Sequence, residues 1–260
     1  MREVTLAESK QLQLQMLVDI DNYCRKKNLR YSLGGGTLLG AIRHKGYIPW
    51  DDDIDIMMPR PDYEFFISHY IPQVDYIKLQ HYKNDEACAI PFAKVYDNRT
   101  CLLEVGVQNG VYVDIFPIDG LPSEEQLNEY LAEKQVLLKS IAKTTKWYKF
   151  QKGRLIRLKY MVKKLITPPR RVCINKFERF LMRYDFEKSQ YAGAIVGRYA
   201  EKEHMKADVF KQYIDVLFEN HIFMAIKMYD SYLTKHYGEY MQLPPKEEQH
   251  SNHSYKVWWK

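Results

Sequence analysis

The chain lacks the features that would mark it as membrane-spanning, secreted or built around structural zinc. It contains no run of about 18 apolar residues, so no segment is expected to span a bilayer. The stretch Met1–Lys10 is polar and has no secretory leader pattern. Cysteine is scarce, and Cys24, Cys88, Cys101 and Cys173 are scattered with no CxxC pair. Reduced thiols are therefore expected, and a cysteine zinc site is not. Together these absences predict a cytoplasmic protein, peripheral at most on the inner face of the membrane. Internal repeats and low-complexity linkers are also missing.

One absence is regional. No Asp or Glu occurs between Glu133 and Glu178, an interval that holds 14 Lys and Arg residues. The rest of the chain keeps 25 of the 39 basic residues against all 33 acidic ones, so the net charge of +6 comes from one region. Residues 134–177 thus call for an anionic partner: a membrane surface, a phosphorylated acceptor or nucleic acid. Within them Arg154, Arg157, Lys163 and Lys164 interleave with Leu155, Leu158, Tyr160, Met161, Val162, Leu165 and Ile166. That pattern predicts a helix with an apolar face and cationic flanks, packed on a core or laid on anionic lipid.

What is present is ordinary in bulk. Hydrophobic residues make up 46% of the 260 and charged residues 28%, enough for one large domain or two small ones. Leu12, Met16, Ile20 and Tyr23 recur at helical spacing and predict a helix over Leu6–Lys27. A strand Arg30–Leu33 then enters Gly34-Gly35-Gly36, followed by a helix Thr37–His44, a strand Asp53–Met58 and a helix Pro61–Tyr70. Strand character returns in Tyr76–His81, Phe92–Tyr96, Cys101–Val105 and Val111–Ile118, with Asn109-Gly110 as a hairpin turn between the last two. From Ser123 the pattern is mainly helical. Ser123 and Gln126 are spaced as a capping box, and Pro168-Pro169 starts a further helix. The expected fold is α/β (α+β): a mixed sheet with helices over 1–122, and a mainly helical region over 123–260 packed on it.

The chemistry concentrates in Asp51-Asp52-Asp53-Ile54-Asp55-Ile56. Carboxylates this close repel one another, and a folded chain keeps them when a cation neutralises them. A solvated acidic loop is the plainer reading. In a strand, residues two apart share a face, which puts Asp53 and Asp55 together with Asp51 in line. Hard oxygen ligands suit Mg²⁺ or Mn²⁺. Gly34–Gly36 lets backbone approach a ligand, and the helix that follows offers free N–H groups, so Gly35, Gly36 and Thr37 are candidate phosphate contacts. Asp114 sits in the apolar Val111-Tyr112-Val113-Asp114-Ile115-Phe116, a costly position unless it is paired or metal-bound.

A glycine turn, a short helix, a strand with Asp-x-Asp and a later strand with a third Asp resemble the nucleotidyltransferase fold, the superfamily of DNA polymerase beta. The long segment from Gly36 through Trp50 to Ile56 is more specific. With Arg60, Asp62-Tyr63-Glu64, Ala93–Asp97, Val113–Asp119 and Tyr237–Pro245, it resembles the LicD family. Bacterial members of that family decorate cell-surface glycans with phosphocholine, and fukutin-related proteins are distant relatives. Phe218-Glu219-Asn220 and Gln249-His250 depart from the family pattern.

The resemblance implies transfer of phosphocholine from CDP-choline to a sugar hydroxyl, with release of CMP. The acceptor would be a teichoic-acid precursor, lipopolysaccharide or capsule unit, lipid-linked in the membrane. Asp53 and Asp55 would bind Mg²⁺ (or Mn²⁺), Asp114 would be third ligand or base, and Asp51 would be a ligand or stand just behind one. Arg43 and Lys94 are candidate phosphate contacts, although Lys94 could equally be a solvated strand residue. His253 looks the better equivalent of the family histidine, and His44 either orients a phosphate or simply ends the helix, the plainer reading. Choline needs an aromatic face, for which Trp50, Tyr47 and Phe116 lie nearest in sequence, though aromatics beside strands usually pack. The same scaffold could carry phosphoethanolamine or ribitol phosphate. A polynucleotide nucleotidyltransferase would need RNA-stacking modules that the sequence does not display, so no nucleic-acid partner is expected.

Overall fold

The structure is a computed structural model that describes residues 1–85, 88, 90–102, 110–144, 156–158, 161–162, 168–197, 200–250 and 256–260. It is a mixed α/β fold. Helix α1 (Leu6–Lys27) opens on a capping box in which Thr5 and Glu8 satisfy each other's backbone N–H. It closes at Asn28, whose φ of 55° is left-handed. Its buried residues Leu12, Met16, Leu17, Ile20 and Cys24 follow the helical period and face the sheet.

Next come β1 (Ser32–Leu33), α2 (Gly35–Arg43), β2 (Asp55–Pro59), α3 (Arg60–His69), β3 (Ile77–Gln80), β4 (Ala93–Asp97), β5 (Thr100–Leu102) and β6 (Tyr112–Leu121). Then follow α4 (Glu124–Ala142), α5 (Arg170–Leu181), β7 (Tyr191–Gly193), α6 (Ala200–Glu203), β8 (Met205–Lys206), β9 (Tyr213–Phe218), β10 (His221–Ile226), α7 (Tyr229–Tyr237) and β11 (Val257–Trp259). The main sheet runs β1-β2-β6-β4-β3, and β7 joins the far end of β6 and pairs with β8. The β2–β6 pair is parallel; β1, β3, β4, β7 and β8 pair antiparallel. The apolar run of β6 matches its place in the middle of the sheet, with Val113, Ile115 and Ile118 fully buried.

Two apolar clusters hold the layers together. One gathers α1, β1, β2 and β6 with Phe210, Phe218, Phe223, Tyr232 and Leu233 from the far end of the chain. The other joins α4 and α5 through Leu137, Ile141, Phe177 and Phe180. Among the described residues, the chain from Tyr191 onward also contributes five short strands, β7 to β11, among its helices. Their side chains close the first core, which is why residues far apart in sequence meet around β2.

Several expected boundaries shift, each for a local reason. Strand β1 begins at Ser32 rather than Arg30, because the Arg30 amide and guanidinium are taken by Asp62. Helix α2 begins at Gly35, so the glycines form its first turn rather than a loop before it. Strand β2 begins at Asp55 rather than Asp53, because Gln13 Nε2 donates to the Asp52 carbonyl and turns it away from the sheet. Among the described residues β5 pairs with β11; the hairpin expected at Asn109-Gly110 falls on Asn109 and residues 103–105, which lie outside the description. Ser123 stands at the N-cap of α4 without a side-chain cap bond, and the Gln126 amide donates to its carbonyl instead.

Among the described residues no helix is long and apolar enough to cross a membrane. Of the expected basic helix, Arg154, Leu155, Tyr160 and 163–166 lie outside the description, while Leu158, Met161 and Val162 are exposed.

Candidate active site

Glycine at the start of α2 lets carboxylates approach the helix end. The Gly34 amide donates to the Asp55 carbonyl at 2.8 Å, and the Asp55 amide donates to the Thr37 hydroxyl at 2.9 Å. These two bonds lock β2 onto the first turn of α2. Gly35 has a φ of +45°, a conformation that side-chain-bearing residues avoid. A Cβ on Gly36 would stand 2.7 Å from Asp51 Oδ2, so only glycine permits that contact. Anionic groups at a helix N-terminus are favoured by its unpaired N–H groups and dipole.

The parallel register of β2 and β6 sets Asp55 directly beside Asp114. Asp51, Asp53, Asp55 and Asp114 then line one cavity of about 700 Å³, together with Gly35, Gly36, Arg43 and Trp50. Burial pushes the Asp55 carboxyl well above the usual carboxylate range, and Asp53, Asp114 and Asp51 push it further, against a smaller opposing pull from Lys94. A divalent cation would relieve that repulsion, and an all-oxygen donor set fits Mg²⁺ or Mn²⁺. Carboxylate oxygens of Asp51, Asp52 and Asp53 lie within 4.8 Å of one another. Strand alternation set Asp52 apart, yet the turn before β2 brings its carboxylate to the other two.

Other sequence candidates take different places. Lys94 is only 6% exposed and is no solvated strand residue. It sits opposite Asp114 in the β4–β6 register, and its Nζ lies 2.8 Å from Asp114 Oδ1, over the Tyr112 ring. It supports the acidic row rather than lining the cavity. Thr37 is buried, its hydroxyl spent on the Asp55 amide. Arg43 lines the cavity, but its Nη1 donates to the carbonyls of Tyr240 and Gln242 and its Nε to His44. His44 caps the end of α2. Tyr47 packs on Phe218 with its hydroxyl bonded to the Lys10 carbonyl, away from the cavity. Trp50 and Phe116 do line it. His253 lies outside the described residues; His250 is on the cavity wall.

The sequence reading missed the opposite wall. Glu203, Tyr232, His236, Tyr237 and Tyr240 line the same cavity. Glu203 accepts from the Tyr232 hydroxyl at 3.1 Å, from His236 Nε2 at 3.0 Å and from the Ala194 amide at 3.2 Å. The Tyr237–Pro245 motif was the available signal, but nothing in it told that it faces the carboxylates.

A cavity that joins a carboxylate row to a helix N-terminus can hold a metal-bound diphosphate. Comparisons with known proteins give the family. A family described as LicD/FKTN/FKRP, nucleotidyltransferase domain, matches residues 28–151. The lipopolysaccharide cholinephosphotransferase LicD of Haemophilus influenzae is 31% identical over 268 aligned residues, covering 97% of each chain. An uncharacterized protein of Rickettsia typhi is 38% identical over 81 residues, 30% of this chain and 26% of that one. One from Rickettsia prowazekii is 41% identical over 61 residues, 24% of this chain and 23% of that one. At 31% identity over 97% of both chains to a LicD protein, and with the family's domain around the carboxylate row, this chain belongs to the LicD family.

Proposed function

We propose that the protein is a metal-dependent phosphocholine transferase. It moves phosphocholine from CDP-choline to a sugar hydroxyl of a cell-surface glycan precursor and releases CMP. The observation that carries this reading is the side-by-side register of Asp55 and Asp114 at the N-terminal end of α2, in a relative of a lipopolysaccharide cholinephosphotransferase.

Asp51, Asp53, Asp55 and Asp114 would hold Mg²⁺ or Mn²⁺, which when bound neutralises charge on the diphosphate. The first turn of α2 binds phosphate oxygens through backbone N–H groups. Asp114, its orientation fixed by Lys94, accepts the proton of the acceptor hydroxyl. The hydroxyl oxygen bonds to the choline-bearing phosphorus as the bond to the bridging oxygen breaks. CMP leaves with that electron pair. Alignment and charge neutralisation carry most of such a transfer.

The acceptor is a lipopolysaccharide, teichoic-acid or capsule unit on a lipid carrier. The protein works in the cytoplasm, and its basic segment, residues 134–177, holds it near anionic headgroups. Sedimentation with anionic liposomes at low salt checks the last point, and no binding would remove it.

The central test incubates protein and Mg²⁺ with CDP-choline, CDP-ethanolamine, CDP-ribitol and candidate glycans, following CMP. Acceptor-dependent CMP from CDP-choline is expected. A preference for another CDP-alcohol would change the transferred group, and nucleotide incorporation into RNA would overturn the reading.

A further inference from the structure

The wall opposite the carboxylates ends in a tyrosine that the proposed reaction has not used. Tyr237 is the last residue of α7, and it lines the cavity with 40% of its surface exposed. Its hydroxyl lies 3.8 Å from where a Cβ on Gly35 would stand; the nearest atom to that same point is Asp55 Oδ2, at 3.5 Å. Tyr237 and Asp55 thus flank the first residue of α2. The Arg43 guanidinium, at the other end of that helix, also feels Tyr237.

The backbone beneath Tyr237 is unusually well fixed. Residues Tyr232 and His236 of α7 both donate to Glu203, a buried carboxylate on α6 that also takes the Ala194 amide. His236 Nδ1 meets the Tyr232 carbonyl at 2.9 Å, and the two rings stack at 4.1 Å. The Tyr232 hydroxyl bonds Glu203, and Tyr232 lines the cavity with Gly35, so the buried carboxylate is tied to the wall that faces the start of α2. Burying a carboxylate costs stability unless it is fully hydrogen-bonded. Here three donors satisfy Glu203, and all three fix the cavity wall. Immediately after Tyr237, Gly238 turns the chain away with a φ of +66°. The phenol is therefore presented to the cavity from a rigid helix end.

We propose that Tyr237 is a catalytic residue: its hydroxyl donates a hydrogen bond to a phosphoryl oxygen of the donor held at the N-terminal end of α2. Glu203, acting through Tyr232 and His236, is the positioning residue that aims it. The phenol keeps its proton throughout; it stabilises charge on the oxygen, as preorganised donors do. This rests on the reading of the cavity as a diphosphate site.

Calorimetric titration with Mg²⁺ and CDP, the diphosphate shared by every CDP-alcohol, tests it. Tyr237→Phe removes the hydroxyl and keeps the ring. It should weaken Mg²⁺–CDP binding about tenfold, the effect of one hydrogen bond to a charged group. Glu203→Gln should weaken binding in the native background and have less than about a twofold effect in the Tyr237→Phe background, since coupled residues are not additive. Equal affinity of Tyr237→Phe and the native protein would overturn the role of Tyr237. An equal effect of Glu203→Gln in both backgrounds would overturn the positioning role alone. If the native protein itself fails to bind Mg²⁺–CDP, the diphosphate reading falls, and this inference falls with it.

Discussion

The two ends of β6 carry the same kind of residue in opposite circumstances. At its C-terminal end Asp119, 1% exposed, receives two hydrogen bonds from Arg60, at 2.6 and 2.7 Å. Arg60 also meets Glu64, which meets Lys83. Charges there alternate and cancel. At the N-terminal end Asp114 has Lys94 on one side and Asp55 on the other, with Asp51 and Asp53 across the same cavity. Four carboxylates line that end, with Lys94 beside Asp114 and Arg43 on the cavity wall. Both aspartates follow apolar residues on one strand, so local sequence does not separate them. Charge balance in three dimensions does: the balanced end is fastening, and the unbalanced end is where we propose that a cation binds.

The largest effect should break the unbalanced end. Asp55→Asn and Asp53→Asn should each lower acceptor-dependent CMP release by about a thousandfold or more, as loss of a charge-neutralising ligand does. Circular dichroism should show both variants folded. Next in size is the balanced end. Arg60→Ala leaves Asp119 buried without its partner and should cost about 3–5 kcal/mol of stability. Urea unfolding checks this, and CMP release per folded molecule should change far less than with Asp55→Asn.

Gly36→Ala sharpens the contrast between helix preference and site geometry. Alanine favours a helix interior by about 1 kcal/mol over glycine. Its Cβ would nonetheless meet Asp51 Oδ2 at 2.7 Å. Activity should therefore fall by about tenfold or more while the melting temperature holds or rises, the loss expected when reacting groups move by a fraction of an ångström.

A smaller effect runs the other way. With no divalent cation at neutral pH, Asp55→Asn should melt about 2–4 °C above the native protein, the shift for roughly 1 kcal/mol in a chain of this size. The carboxyl is held above its ordinary range, so its contribution to stability is lost as pH rises through its folded pKa. Added Mg²⁺ should reverse the ranking, and a native protein indifferent to Mg²⁺ would contradict the cation site.

A pH-dependent effect concerns His81, near the balanced end. Burial lowers its pKa to about 3, with Lys83 and Arg60 adding to the shift. Its Nδ1 accepts from the Lys83 amide, as a neutral imidazole must. A depressed histidine contributes stability above its unfolded pKa of about 6.5 and loses it as pH falls toward the folded value. Urea midpoints should decline across that window, and His81→Gln should flatten the decline.

Much of the site was legible in sequence because it is local. The glycine turn, the short helix and the acidic run lie within a few dozen residues, and their spacing carries their geometry. Helix α1 was equally plain, since its apolar residues recur over six turns of one helix. The start of β2 was misread because alternation assumes an extended chain, and Gln13, from α1, holds the Asp52 carbonyl out of the sheet. The pairing of β5 with β11 was not legible because β11 comes from the chain's far end. Lys94 read as a phosphate contact or a solvated residue because no single strand shows what lies across it.

By itself the sequence determined the carboxylates, the glycines that let them approach a helix end, and the family signature around them. These depend on residue type and short-range spacing. Only the tertiary structure decided that Asp55 lies beside Asp114, that Lys94 lies under Asp114, and that Glu203, His236 and Tyr237 close the cavity. Strand register and the packing of a distant helix arise from long-range burial, which joins residues that share no local pattern.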